Sequence, residues 1–210
     1  MARKKRIWYP GAIYHVMSRG NRRTAIFEDE ADYICFLELL KTVKERYPFI
    51  LHSICLMTNH FHMLIETGNY ELGKIMQVLL SSYAEKFNYR HSYSGHLFEG
   101  RYTACIVEDE RYLLEVSRYI HLNPVKAFMV RDPISYKYSS YRNYVSAEAE
   151  TGKGKWENLL RELTDTTRIL SFFPDSPQEQ YRKFVEGRIS HEEQELQIRK
   201  DMKEDDMWLP

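Results

Sequence analysis

The chain of 210 residues carries 30 Lys and Arg against 30 Asp and Glu, and it is long enough to bury a core without staples. Its three cysteines, Cys35, Cys55 and Cys105, are widely spaced with no CxxC, which excludes a disulfide framework and suits a reducing cytoplasm. The basic start MARKKRIWYPG leads into no apolar signal core, and no run nears the roughly 18 apolar residues of a membrane span, so the reading is a soluble protein.

The neutral total hides a lopsided distribution. Every charge up to Phe27 is basic, namely Arg3, Lys4, Lys5, Arg6, Arg19, Arg22 and Arg23. From Glu186 to Asp206 there are eight acids against four bases, so the body is mildly basic and the tail is an acidic counterweight. A basic cluster attracts polyanions over about 10 Å in moderate salt. Nucleic acid and a merely solvated terminus are both open at this point.

In chain order, Ile13 to Ser18 is a short apolar strand that stops at a flexible Gly20-Asn21 turn. Asp29 to Tyr47 spaces Tyr33, Phe36, Leu37, Leu40 and Val43 as a helical stripe closed by Pro48. Phe49 to Met57 and Phe61 to Glu66 form a hairpin through Thr58-Asn59. Tyr70 to Tyr89 is a second helix, and Tyr102 to Val107 a fourth strand. The order strand, helix, strand, strand, helix, strand predicts an α+β, ferredoxin-like split βαβ antiparallel sheet with two helices on one face. A third helix begins near Glu108 or Asp109, whose carboxylates suit a helix N-terminus. It should end by Asn123, because a proline disfavours helical geometry in the residue before it. The polar stretch after Tyr144 predicts three parts: a domain over 1–145, a linker over 146–155 and a helical, acidic appendage over 156–210. Helices are expected there from Trp156 to Phe173 and from Gln178 to about Gln197.

The chemistry concentrates in TNHFHMLIE, residues 58–66. Strand alternation sends Phe61, Met63 and Ile65 under the two helices and His60 and His62 to the open face, where two neutral imidazoles can share an ion. Two polar residues on a half-exposed face read the same way. The third helix is the candidate cover. If its stripe of Leu113, Val116, Ser117 and Ile120 packs on that face, Tyr119 and Asn123, one turn apart, bring a phenol and an amide oxygen to the histidines.

TNHFHMLIE, then GHLFEGRY and RYIHLNPVKA, with YPGAIYHVMSRGNRR before them and YKYSSYRNY after, resembles the HUH-type single-tyrosine transposases, in particular the group associated with repetitive extragenic palindromes. The resemblance covers about residues 6 to 145 and leaves the acidic tail unmatched. It implies that His60, His62 and Asn123 hold a divalent ion, Mn2+ or Mg2+, and that Tyr119 is the nucleophile. It also implies that the substrate is single-stranded DNA at hairpin-forming palindromes, cut and transferred through a 5′-phosphotyrosine. For DNA contacts the candidates are Arg19, Arg22 and Arg23 on phosphates, and Arg101 with Phe98 and Tyr102 beside unstacked bases. His15, His52 and His121 are expected to be structural or to support the ligands. A non-catalytic hairpin binder and a metallo-hydrolase stand as competing readings. Monomer and homodimer, and a tyrosine acting within or across chains, are equally compatible with these residues.

Overall fold

The computed structural model describes residues 7–146 and 154–187. Four strands, β1 (Ile13–Arg19), β2 (Phe49–Met57), β3 (His60–Thr67) and β4 (Thr103–Val107), form one sheet in the order β2-β3-β1-β4. All of its pairings are antiparallel. Helices α1 (Glu30–Arg46) and α2 (Leu72–Arg90) connect them, giving the expected split βαβ arrangement. Asp29 caps α1 by accepting from the backbone N–H of Ala31 and Asp32, which satisfies donors that the first turn cannot.

The period-2 pattern of the strands divides the interior into two layers. Val16, Phe61, Met63 and Ile65 meet Phe36, Leu37, Leu40, Ile75, Met76 and Leu79 from α1 and α2. On the opposite face Cys55, Met57 and Leu64 meet Leu113, Val116 and Ile120 of α3 (Glu110–Lys126), so the third helix does cover the open face. Asp109 caps it, its carboxylate accepting from Tyr112 N–H at 2.7 Å.

Helix α3 does not stop at Asn123. It runs through the buried Pro124 to Lys126. Proline there removes one bond, to the Ile120 carbonyl, while the last turn closes through Ala127 N–H to Asn123 O at 2.9 Å and Met129 N–H to Pro124 O at 2.9 Å. Burial of the ring against the core outweighs the local preference.

The C-terminal part is divided between both layers. The predicted helix over 156–173 is two, α5 (Lys155–Leu163) and α6 (Thr167–Leu170), after the short α4 (Tyr141–Val145). The break arises because the chain turns aside to the sheet edge, where Thr164 bridges Leu51 and Asp165 N–H donates to Leu51 O at 2.8 Å. Leu159, Leu160 and Leu163 of α5 join the core under α1, and Lys44 Nζ donates to Leu163 O at 2.7 Å. Helix α7 (Pro177–Glu186) ends at Gly187, and its predicted continuation to Gln197 lies outside the described residues. Of the predicted linker, residues 147–153 lie outside them as well. No helix among the described residues is long and apolar enough to cross a membrane.

Helix α7 is held to α3 by a buried chain of hydroxyls and an imidazole. Ser53 Oγ lies 2.9 Å from Ser117 Oγ, which lies 2.6 Å from Tyr181 Oη. Tyr181 Oη in turn lies 2.8 Å from His121 Nδ1, and His121 Nε2 lies 3.0 Å from Ser140 Oγ. The chain thus joins β2, α3, α7 and the start of α4. Tyr181→Phe would leave Ser117 and His121 each short of a buried partner, at a cost of about 1–3 kcal/mol. The expected result is a lower urea midpoint at unchanged m-value.

The end of α3 is strained. Phe128, directly after it, takes φ +56° and is 95% exposed, so no packing offsets a left-handed conformation that glycine adopts freely. Phe128→Gly should stabilise the fold by about 0.5–1 kcal/mol, read as a higher melting temperature by circular dichroism.

Candidate active site

His62 occupies the middle of the sheet, between Met17 of β1 and Cys55 of β2, with His60 between Arg19 and Met57. Both point away from the α1/α2 layer, because Phe61 between them fills it. His62 is 2% exposed, His60 half-buried, and their ring centroids are 5.1 Å apart.

Each ring has one nitrogen engaged by the protein. His60 Nδ1 lies 2.7 Å from Asn59 Oδ1, so its Nδ1–H donates and Nε2 remains as the lone-pair nitrogen. The Nδ1 of His62 lies 3.0 Å from His15 Nε2. Burial holds the His15 imidazole down to about 3. It lowers His60 to about 4, assisted by the Arg19 guanidinium, and it holds His62 well below the usual range, with His15 and His60 adding to the effect. All three are neutral at pH 7, the form that ligates an ion.

Tyr119 projects from α3 against His62 and His15. Its ring centroid is 5.6 Å from His62 at 89° and 5.7 Å from His15 at 71°, and Lys126 Nζ stands 5.0 Å from its centroid. Asn123, one turn on, donates from Nδ2 to the Tyr119 carbonyl at 2.8 Å, which fixes the amide and leaves Oδ1 as its acceptor end. Among the described residues no group of three or more His, Cys, Asp or Glu side chains is arranged to hold an ion. His60 and His62 offer imidazole nitrogens on the face that α3 covers, and Asn123 carries an amide oxygen on α3, donor types that suit a divalent ion. Cys55 and Cys105 are buried thiols without a place among them.

A family model described as "Transposase IS200 like" matches residues 9–123, a span that contains every strand, His60, His62, Tyr119 and Asn123. The chain belongs to the IS200-like transposase family. A REP-associated tyrosine transposase of Haemophilus influenzae is 27% identical over 130 residues, covering 56% of this chain and 73% of that protein. A solved REP-associated tyrosine transposase bound to a REP hairpin superposes with a TM-score of 0.58 at 16% identity, over 69% of this chain and 86% of the other. That likeness shows a shared fold.

The residues expected at the DNA are placed unevenly in this transposase. Arg22 and Arg23 are exposed on a turn where both take positive φ, 51° and 61°. The turn is not a loose hinge. Gly20 N–H donates to Asn59 O and Asn21 N–H to Leu97 O, each at 2.8 Å, and a Cβ at Gly20 would sit 2.2 Å from the Thr24 carbonyl oxygen. Asn59 Nδ2 also donates to Arg23 O at 3.1 Å, so one amide ties the arginine turn to His60. Arg19 is paired with Glu99, its Nε donating to Oε2 at 2.7 Å. Arg19, Glu99 and Arg101 line a cavity of about 230 Å3 with Met17, Ser18 and Thr103. Phe98 lies half-buried, 6.4 Å from the Tyr83 ring, and Tyr102 is 7% exposed within the α1/α2 core. Those two rings pack against protein.

Asn59 and Glu99 had no functional reading in the sequence. Asn59 read as a turn residue, yet its place immediately before HFH was the available signal, since an amide there can reach the next side chain. Glu99 gave none, because its partner Arg19 is 80 positions away.

Proposed function

We propose that this transposase cleaves and rejoins single-stranded DNA at hairpin-forming palindromic repeats, with Tyr119 as nucleophile and His60, His62 and Asn123 as ligands of a manganese or magnesium ion. The observation that carries the reading is the 5.6 Å between the Tyr119 and His62 rings, which joins a phenol on α3 to a buried, neutral imidazole on β3. The solved relative bound to a REP hairpin supports a hairpin as partner. Cys35, Cys55 and Cys105, none of them in a disulfide, support a reducing, cytoplasmic setting.

A divalent ion at His60, His62 and Asn123 would supply positive charge that polarises the phosphoryl oxygens. Nitrogen donors favour manganese over magnesium, and structural zinc would ask for four closing ligands. The rest falls to the chain. Tyr119 Oη forms a bond to phosphorus as the P–O3′ bond breaks; the phenol gives up its proton and the leaving 3′ oxygen gains one. The phosphodiester energy is kept in a 5′-phosphotyrosine, which a free 3′-OH can attack to rejoin DNA without ATP. Neutral His60 and His62 need lose no proton to serve, and α3 carries nucleophile and amide ligand together, so the two keep their spacing.

Full-length protein with Mn2+ and REP-type hairpin oligonucleotides labelled at the 3′ end should give a labelled band on a denaturing protein gel. Tyr119→Phe should lose that band while binding the hairpin within about twofold of wild type. Tight hairpin binding by wild type with no adduct would leave a non-catalytic binder, and turnover that survives Tyr119→Phe would indicate hydrolysis.

The Arg19–Glu99 pair generates a second expectation. Both side chains are substantially exposed, so Glu99→Gln should leave stability within about 0.5 kcal/mol. Released onto a phosphate, Arg19 should raise hairpin affinity several-fold at low salt and steepen the log K against log salt slope by about 0.7. Fluorescence anisotropy across a salt series reads both.

A further inference from the structure

Against both His62 and Tyr119 stands a third ring, His15, which is neither nucleophile nor expected ligand. It is wholly buried on β1, its Nε2 lies 3.0 Å from His62 Nδ1, and its ring meets that of Tyr119 edge to face. Its Nδ1 is buried with no hydrogen-bond partner. The contrast is His121, equally buried, whose two nitrogens reach Tyr181 and Ser140. His121 satisfies both of its nitrogens; His52 leaves Nδ1 unpaired like His15, but its Nε2 reaches the Glu66 carboxylate. His15 satisfies one, and that one is on His62.

Two neutral imidazoles sharing one hydrogen bond can hold their protons in two ways. If His15 Nε2–H donates, His62 Nδ1 is the acceptor and the His62 proton sits on Nε2, where no ion can bind. If His62 Nδ1–H donates, His15 Nε2 is the acceptor, the His15 proton sits on Nδ1, and His62 Nε2 is bare. The nitrogen of a ligand histidine that faces away from the ion sets which tautomer is present. His60 receives the same treatment from Asn59.

We propose that His15 is a positioning residue for the ion site, accepting the Nδ1 proton of His62 and so holding the tautomer and ring plane that present Nε2 as a ligand. The inference rests on the reading that His60 and His62 bind a divalent ion. It assigns β1 a part in the site, and it explains why a central strand carries an imidazole where an apolar residue would pack with no unpaired nitrogen.

The test is Mn2+ binding to the full chain without DNA, followed by loss of the free Mn2+ signal in electron paramagnetic resonance. His15→Leu should weaken Mn2+ binding by about 10–100-fold. In His15→Gln a side-chain oxygen can still accept from His62, and binding should stay within about threefold of wild type. Hairpin binding in EDTA should be the same for all three. Leu binding Mn2+ within twofold of wild type, or Gln no better than Leu, would overturn the proposal. Ring nitrogen NMR on 15N-histidine wild type with Mg2+ needs no variant, and it should show His62 protonated at Nδ1 and bare at Nε2. His62 protonated at Nε2 with Mg2+ present would equally overturn it. His62→Ala separates the two levels of argument. If wild type and His62→Ala take up Mn2+ equally, or neither does, the ion-site reading itself fails and takes this inference with it.

Discussion

Burying imidazoles in the middle of a sheet is possible only if their ring nitrogens have somewhere to go. A polar group moved from water into a protein interior without a partner costs on the order of 1–3 kcal/mol, and His15, His60 and His62 lie close together on one face. The protein's partial solution is to pair them locally, Asn59 with His60 and His15 with His62. What it leaves over is Nε2 of His60 and of His62, together with the buried Nδ1 of His15. A surface with that leftover is unstable as a packed core and suitable as an ion site, and the architecture around it follows from keeping it covered and neutral.

Covering it is the task of α3, which is held from outside as well as inside. Its apolar stripe packs on Cys55, Met57 and Leu64, and its far side is tied to α7 through Ser117 and His121 on Tyr181. Arg118, next to Tyr119 in sequence, is buried, and its NH2 donates to Gly187 O at 2.9 Å at the end of α7. Tyr119 therefore leaves a helix that is fixed on either side of it, at Arg118 and at His121. The polar chain from Ser53 to Ser140 carries that restraint to β2, so the C-terminal helix and the sheet are coupled through the element that bears the phenol.

Most of the fold was legible because its signals are local. Period-2 alternation placed Phe61 and Met63 in one layer and His60 and His62 in the other, and the spacing of Tyr33, Phe36, Leu37 and Leu40 placed α1. The placement of Tyr119 and Asn123 one turn apart on α3 followed from the helical rule. The failures share a cause. Pro124 continues a helix it was expected to end, because its ring is buried, which no window of sequence around it encodes. The chain breaks between α5 and α6 because Asp165 meets Leu51 across the sheet edge. Phe98 and Tyr102 looked like stacking platforms beside Arg101, and tertiary contacts turn them to Tyr83 and the core. Glu99 entered the site only through pairing with Arg19.

That pairing bears on how the site is charged. Neutral imidazoles are kept neutral mainly by burial, and for His60 the Arg19 guanidinium acts in the same direction. The same guanidinium is one that a phosphate backbone would seek, and Glu99 already holds it at 2.7 Å. An exposed ion pair of this kind contributes little to stability, so Glu99 can release the guanidinium at small cost in folding free energy. Paired with Glu99, the arginine is a cation beside His60. Burial, the larger cause, does not depend on the partner of Arg19, so the neutrality of His60 is set first by the sheet and the helix packed on it and only second by the guanidinium.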